Sequence, residues 1–271
     1  MKLHHCFTAK TLIALALVSP HVAAETLTFG IVPQQSASRL AQQWEPVMQY
    51  LSDQTGYEIK FSTASDIPTF EKRLADGEYD LAYMNPYHYT VYSRAPGYQA
   101  MAKAKDKQIK GIIVVRKEDG FQSLEQLDKQ TLAFPSPAAF AATILTQSDL
   151  NNANVDYQSD YVSSHDSVYL SVAKGFYPAG GGVMRTFNSI PDEVRNKLTP
   201  LWVTKPYTPH AIAYHPRVTA LQAKTIQGVL ESMSAESDDQ HQLSKLKIKG
   251  FVSAKDSDWD DVRALDIHLL D

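Results

Sequence analysis

The sequence contains almost no cysteine: Cys6 is the single thiol among 271 residues, and it precedes a short apolar run. Residues 1–24 join a mildly basic start to this run and end in small residues before Glu25, a pattern typical of a secretory signal peptide. A short buried N-terminal helix is the alternative. We predict cleavage after Ala24 and a periplasmic location. The mature chain then has no cysteine, which excludes disulfide bonds and thiol chemistry.

Long hydrophobic runs and basic runs are also missing. The apolar run at 11–18 is too short to span a bilayer, and no later segment approaches the required length. Without Lys2 and Lys10, 24 basic and 30 acidic residues remain, which gives a net charge of −6. A mildly acidic chain without a basic stripe matches nucleic-acid binding poorly. We therefore predict a soluble monomer that binds no nucleic acid.

Signatures of catalysis and metal binding are absent as well. The sequence has no Gly-x-Ser-x-Gly elbow and no phosphate-loop lysine motif. No two histidines of the mature chain have metal-site spacing on a helix. His165 and Asp166 are sequence neighbours, so they would not face each other on a helix. We predict no enzyme activity, no cofactor and no metal; a hydrolase or lyase on the same scaffold is the alternative from another class.

Predicted strands and helices alternate along the mature chain. The predicted strands are 27–32, 57–61, 81–84, 99–104, 111–115, 131–134, 155–162, 180–184, 201–203 and 210–214. The predicted helices are 36–51, 66–77, 123–127, 138–150, 164–174, 191–198, 216–233 and 256–270. The first five elements follow a β-α-β-α-β order, which implies a parallel sheet with right-handed crossovers.

The two runs of alternating elements predict an α/β protein with two lobes joined by two crossover strands. We assign 25–112 and 206–271 to lobe 1, and 113–205 to lobe 2. A cleft between lobes is the usual place for a ligand, and hinge motion would close it. At the returning crossover, Tyr207 and His210 either line this cleft or belong to a stiff hinge.

The stretch 80–92, DLAYMNPYHYTVY, carries the highest density of aromatic residues next to a strand end. Pro86 cannot continue a ladder, so the strand ends there. In open α/β sheets, ligands bind at the carboxyl ends of the strands. This stretch either lines the cleft or is a buried strand followed by an ordinary aromatic helix. The predicted site residues within it are Tyr83, Asn85, Tyr87, His88 and Tyr89.

A second loop, 134–139, precedes the predicted helix 138–150. Ser136 can cap this helix, which leaves the first backbone amides without an acceptor inside it. Such amides, together with the helix dipole, favour an anion. Every capped helix has this feature, so an ordinary cap is the alternative. The predicted site residues here are Ser136, Ala138, Ala139 and Phe140.

A third loop, 163–167, precedes the predicted helix 164–174. Ser164 can cap this helix, and His165 falls in its first turn. A histidine at this position can donate to an oxyanion, while the hydroxyls of Ser164 and Ser167 add donors. A surface cap with a solvated histidine is the alternative.

Several motifs place the chain near a known family. They are Gly30-Ile31-Val32-Pro33, 75–82 leading into Asn85-Pro86, 113–117, Ser164-His165-Asp166-Ser167 with 173–175, and 257–263. The mature chain resembles, over nearly its whole length, periplasmic solute-binding proteins of phosphate, phosphite and phosphonate ABC transporters. The resemblance implies a type II periplasmic-binding-protein fold and a small anionic solute delivered to an ABC permease in the inner membrane. Some relatives are sensor modules, which implies a membrane sensor kinase as the alternative partner. The resemblance also implies that His165 helps to hold an oxyanion.

Two positions depart from the family pattern. Relatives usually have consecutive Ser and Thr hydroxyls where this chain has Ala139-Phe140-Ala141, and often an acidic residue where it has 180–182, Gly-Gly-Gly. A phosphonate therefore loses two hydroxyl donors, and an unsatisfied buried anion is costly. We predict that alkylphosphonates bind poorly and that the pocket is more aromatic, enclosed by Tyr83, Tyr87, Tyr89 and Phe140.

Overall fold

The structure is a computed structural model that describes residues 25–233, 243 and 245–270. The predicted signal peptide and most of its cleavage site lie outside these residues. Within the described part, no helix combines the length and the apolar character needed to cross a bilayer.

Strands and helices alternate as predicted through most of the chain. The strands are β1 (Thr26–Ile31), β2 (Glu58–Ser62), β3 (Leu81–Met84), β4 (Gln99–Ala104), β5 (Gly111–Arg116), β6 (Gln130–Phe134), β7 (Tyr157–Tyr161), β8 (Ala179–Val183), β9 (Leu198–Val203), β10 (Ala211–Tyr214) and β11 (Phe251–Ser253). The α-helices are α1 (Ala37–Thr55), α2 (Ile67–Ala75), α3 (Pro86–Tyr92), α4 (Thr146–Asn152), α5 (His165–Ala173), α6 (Met184–Phe187), α7 (Asp192–Arg195), α8 (Ala220–Ser232) and α9 (Asp260–Arg263). A π-helix covers Phe140–Leu145, and 3-10 helices cover Lys117–Asp119, Leu124–Leu127 and Asp256–Trp259.

The first sheet has six strands in the order β11-β4-β10-β3-β1-β2. β1 pairs in parallel with both β2 and β3, which confirms the parallel unit predicted from the β-α-β-α-β order. β10 then pairs antiparallel with β3 and with β4, so the complete sheet is mixed. α1 and α8 cover one face, and the predicted apolar face of α1 is buried there: Leu40, Trp44, Val47, Met48 and Leu51.

The second sheet has five strands in the order β7-β6-β8-β5-β9. Successive side chains of β5 point to opposite faces, as in any strand. Ile112 and Val114 pack with α5, whereas Ile113 and Val115 pack with the layer that contains Leu124–Leu127. β5 is therefore buried on both faces, which explains why its sequence is a continuous apolar run.

Two crossover segments connect the sheets, at 105–110 and at 204–210. They pair with each other, because Ile109 and Tyr207 exchange two backbone hydrogen bonds of 2.9 and 3.0 Å. All strands before residue 105 and after residue 210 belong to the first sheet, and the strands between belong to the second. The two-lobed α/β fold is thus confirmed, while the lobe boundaries 25–112 with 206–271 and 113–205 stay a prediction.

Two of the predicted helices were too long. The helix predicted at 191–198 is only Asp192–Arg195, because Leu198 already pairs with Arg116 as the first residue of β9. The tail predicted as one helix over 256–270 is helical only through Arg263. Asp266 lies in the left-handed region with φ of 50°, which a continuing helix does not allow. Trp259 and Val262 nevertheless dock into the core as predicted.

Candidate functional site

A small cavity lies between the lobes, where loops of both sheets meet. Its volume is about 10 Å³, room for about one water-sized group. Gln34 and Asn85 line it from the first lobe, and the segment 139–142 and His165 line it from the second. The structure therefore brings together four of the residues predicted from sequence: Asn85, Ala139, Phe140 and His165.

The helix that faces this cavity begins later than predicted. It starts at Phe140 and runs through the π-helix directly into α4, with Ala139 as its N-cap. Ser136 does not cap it. Instead, the carbonyl of Ser136 accepts from the Ala139 amide at 3.3 Å and from the Thr143 hydroxyl at 2.7 Å. The amides without an acceptor inside the helix are therefore those of 140–142 rather than of 138–140.

Two glycines allow this helix to lie directly on the second sheet. A Cβ atom on Gly111 of β5 would be 2.1 Å from the carbonyl oxygen of Ala141, and one on Gly181 of β8 would be 1.9 Å from that of Ala142. Any side chain at these positions would push the helix away from the sheet. Gly111 and Gly181 are thus required for the close packing that places the helix start at the cavity.

His165 begins α5, which Ser164 caps as predicted by accepting from the Ser167 amide at 3.1 Å. His165 is only 2% exposed, so the surface-cap alternative does not apply. Its amide donates across the cleft to the carbonyl of Gln34 at 3.1 Å, and its Nδ1 lies 3.1 Å from the Thr186 hydroxyl. Burial, and secondly Arg185, lowers the pKa of His165 to about 3. The imidazole is therefore neutral near pH 7 and has one N–H to donate.

Asn85 joins the two lobes from the other side of the cavity. Its side-chain oxygen accepts from the His88 amide at 2.7 Å and thereby caps α3. Its side-chain nitrogen donates to the carbonyl of Ala138 at 3.1 Å, which is a contact between lobes. One side chain therefore fixes both the start of α3 and the loop before the helix at 140.

Three residues of the site were missed or left open by sequence reasoning. The side-chain oxygen of Gln34 accepts from the guanidinium of Arg185, and its side-chain nitrogen lies 3.1 Å from Nε2 of His210. Burial, and secondly Arg185, holds the pKa of His210 well below its usual range, so this imidazole is also neutral. Gln34 directly follows the Gly30–Pro33 motif, and Arg185 follows the carboxyl end of β8. These positions could have indicated both residues as site residues from the sequence.

The remaining predicted residues do not reach the small cavity. Tyr83 stacks on His210, with ring centroids 4.8 Å apart, and does not line the small cavity. α3 directs its side chains into the core: Nε2 of His88 lies 2.9 Å from a carboxylate oxygen of Glu71. The hydroxyl of Tyr89 donates to Asp256 at 2.9 Å, and that of Tyr87 accepts from the Leu270 amide at 2.8 Å. Contact of these rings with a solute stays a prediction.

Metal coordination finds no support in the described residues. No group of three or more His, Cys, Asp or Glu side chains among them is arranged to hold a metal ion.

Comparison with known proteins identifies the family. The model of the periplasmic substrate-binding proteins of phosphonate ABC transporters matches residues 29–259. The phosphate-import protein PhnD of Mycolicibacterium smegmatis is 24% identical over 178 residues, which cover 58% of this chain and 54% of that protein. The aligned part thus spans about half the length of this curated relative.

Solved structures show the same fold. A binding protein component of an ABC phosphonate transporter from Pseudomonas aeruginosa has a TM-score of 0.81 at 17% identity, with 90% of this chain and 86% of that chain covered. PhnD1 from Prochlorococcus marinus, in complex with methylphosphonate, has a TM-score of 0.81 at 18% identity, with 89% and 97% covered. The family and the type II periplasmic-binding fold predicted from sequence are both confirmed.

Proposed function

Because this chain belongs to the periplasmic substrate-binding proteins of phosphonate ABC transporters, we propose that it captures a small anionic solute between its lobes. The solute carries a phosphate- or phosphonate-like oxyanion and is delivered to an ABC permease in the inner membrane. One observation carries this proposal: the helix start 140–142, whose amides have no acceptor inside the helix, lines one interlobe cavity together with His165 and Asn85.

The donors at this cavity suit an oxyanion. Backbone amides at a helix start offer several N–H groups and the positive end of the helix dipole. A neutral His165 adds one N–H if Nδ1 accepts from Thr186, since the proton is then on Nε2. Asn85 adds an amide from the opposite lobe. An anion held from both sides binds the closed arrangement better than the open one, so binding drives closure.

The volume of the cavity indicates that the lobes must move. A tetrahedral oxyanion has five heavy atoms, whereas about 10 Å³ holds about one water-sized group. We expect solute binding to require a wider separation of 139–142 from Gln34 and Asn85. The paired segments at Ile109 and Tyr207 are the natural hinge for this motion.

Mass spectrometry of the solute that co-purifies with the exported protein tests the proposal. We expect a small anion in the natural protein and none in Asn85→Asp, because the new carboxylate repels it while an aspartate still caps α3. Thr219→Asp, which adds the same charge at the N-cap of α8, is the matched control and should retain the solute. Recovery of a neutral or cationic solute, or equal recovery from Asn85→Asp, would contradict the proposal.

A sensor that signals to a membrane kinase is the second function implied by the resemblance, and it uses the same fold and cleft. Co-purification of the solute-loaded protein from solubilised membranes separates the two, since transport requires capture of a permease and sensing requires capture of a kinase. We favour transport, because the family description and the phosphate-import relative both name it.

A further inference from the structure

A second and larger cavity adjoins the crossover segments. Its volume is about 230 Å³, and its walls come from 107–110, from the start of α6, and from segments around His210 and Lys247. Gln34 lines the small cavity, while Arg185 and His210, which both contact its side chain, line the larger one. The Gln34 side chain therefore stands between the two cavities.

The larger cavity is positively charged. Four cations line it, Lys107, Lys110, Arg185 and Lys247, and no carboxylate does. None of the four forms an ion pair with a carboxylate in the described part of the chain. Lys249, only two residues beyond Lys247, does pair with Asp106 at 3.9 Å. Since the whole chain has a net charge of −4, four unpaired cations at one cavity do not reflect its composition.

The contacts that these cations make are with neutral groups. The guanidinium of Arg185 donates to the side-chain oxygen of Gln34. The ammonium of Lys247 donates to the carbonyl oxygen of Asn188 at 2.8 Å, across the cleft. Neutral acceptors leave the positive charges unbalanced, and like charges around one cavity repel each other. Arg185 also helps to lower the pKa values of His165 and His210, as an unbalanced cation does.

We propose that this cavity is a second anion-binding site, one that takes a polyanion with two or more phosphate or carboxylate groups. Charge-assisted hydrogen bonds from lysine and arginine to such groups are stronger than their present contacts with neutral oxygens. Tyr83 and His210, whose rings stack on each other, both line this cavity and offer ring surface to an organic body attached to the charged groups. Its four cations do not line the small cavity, so they can bind a polyanion without His165.

Binding at this site would favour closure. Lys107 and Lys110 belong to the crossover at 105–110, Arg185 to the second lobe, and Lys247 to the segment before β11 in the first lobe. A polyanion among them contacts all three parts at once. Because these contacts exist together only when the lobes are close, the polyanion binds the closed arrangement more tightly.

Calorimetric titration of the exported protein with inorganic pyrophosphate tests this site. The test variant is Lys107→Gln/Lys110→Gln/Lys247→Gln. The control, Lys174→Gln/Lys197→Gln/Lys224→Gln, removes the same charge from exposed lysines outside the cavity lining. We expect the Kd to rise at least tenfold in the test variant and less than twofold in the control. All six lysines are exposed, so melting temperatures should stay close to that of the natural protein.

Two further titrations distinguish this site from the small cavity. Pyrophosphate should bind more tightly than inorganic phosphate, and His165→Ala should retain pyrophosphate binding while the lysine test variant loses it. The proposal is overturned if the natural protein gives no heat with millimolar pyrophosphate, or if the control variant loses as much affinity as the test variant. Equal affinity for phosphate and pyrophosphate, or loss of pyrophosphate binding in His165→Ala alone, also overturns it.

Discussion

Two buried histidines predicted from sequence as site residues should respond oppositely to substitution. His165 lines the small cavity, whereas His88 lies in the core with its Nε2 2.9 Å from a carboxylate oxygen of Glu71. His165→Ala should weaken binding of the co-purified solute and change the melting temperature of the ligand-free protein little. His88→Ala should lower the melting temperature and leave the affinity of the folded protein unchanged.

The expected magnitudes follow from the contacts of each side chain. Loss of His165 leaves an acceptor of the bound anion unpaired, which costs roughly 1–3 kcal/mol, or about 5- to 150-fold in affinity. Its partner Thr186 keeps contacts with the carbonyl of Val183 at 3.0 Å and the hydroxyl of Tyr169 at 2.8 Å. The ligand-free fold therefore loses little.

His88 is fully buried, and the Glu71 side chain is only 11% exposed. Removal of the imidazole leaves the carboxyl group of Glu71 without this partner and a cavity in the core, which together cost roughly 3–5 kcal/mol. For a chain of this size each kcal/mol lowers the melting temperature by about 2–4 °C, so a decrease on the order of 10 °C is expected. Because His88 lies outside the cavity lining, the affinity of the molecules that remain folded should not change.

Differential scanning fluorimetry of the ligand-free proteins and calorimetry with the co-purified solute measure both quantities. His88→Gln is the matched control, since its amide can still donate to Glu71 and should recover part of the lost stability. His165→Ala should not lower the melting temperature as His88→Ala does while keeping the affinity of the natural protein; that result would contradict the proposed role of His165. His165 would then be a structural residue.

Three further predictions concern the stability of the fold in acid, the hydroxyl donors at the helix start, and export. Below about pH 6.5 the unfolded chain protonates His165 and His210, while the folded protein keeps both neutral. The free energy of unfolding should therefore fall as the pH decreases below about 6.5, by up to about 1.4 kcal/mol per pH unit for each histidine. Urea unfolding of His165→Gln/His210→Gln from pH 8 to 4 should show a flatter dependence, and an unchanged slope would contradict this. Ala139→Ser/Ala141→Ser should raise the affinity for phosphate, phosphite or methylphosphonate, as measured by calorimetry. Submicromolar binding of any of them by the natural protein would contradict the prediction that the missing hydroxyl donors weaken binding. N-terminal sequencing of the exported protein should return Glu25, with a monomer in light scattering; recovery of Met1 or retention in the membrane would count against cleavage.

Local patterns predicted the fold well because its elements are specified by short-range chemistry. The apolar spacing along α1 depends only on the helical repeat, and all five residues assigned to its buried face are buried. Asp66 and Ser164 cap α2 and α5 through side-chain oxygens that accept from amides three residues later. The order of strands and helices then limits the topology to a few choices.

The helix start at Phe140 could not be predicted, because contacts from distant parts of the chain determine it. The local sequence favours Ser136 as a cap, with Pro137 in the first turn. In the folded protein the carbonyl of Ala138 accepts from Asn85, and the helix packs on Gly111 and Gly181. These tertiary contacts override a local preference worth about 1 kcal/mol.

The direction of α3 misled the sequence reasoning for a similar reason. The rule that ligands bind beyond strand ends correctly indicates Asn85, which follows β3. Once Asn85 caps α3, however, the next turn points Tyr87 and His88 back into the core. The partner of Gln34, by contrast, is Arg185, 151 residues away. No local pattern can reveal a contact at that separation.

The contacts between the lobes suggest that closure depends on what binds. Neutral hydrogen bonds cross the cleft from the His165 amide to Gln34 and from Asn85 to Ala138, each worth about 0.5–1.5 kcal/mol net. Arg39 and Asp166, 3.8 Å apart and about a quarter exposed, add roughly 0–1 kcal/mol. Charged side chains also donate across the cleft to neutral oxygens: Arg39 to the carbonyl of Ser189 at 2.6 Å, Arg185 to Gln34, and Lys247 to Asn188 at 2.8 Å. Direct contacts therefore favour closure even without a solute. Closure also brings Arg185 close to Lys247, which opposes it until an anion lies between them. We therefore expect direct contacts between the lobes to favour closure in part, and the anions in the two cavities to prolong the closed arrangement.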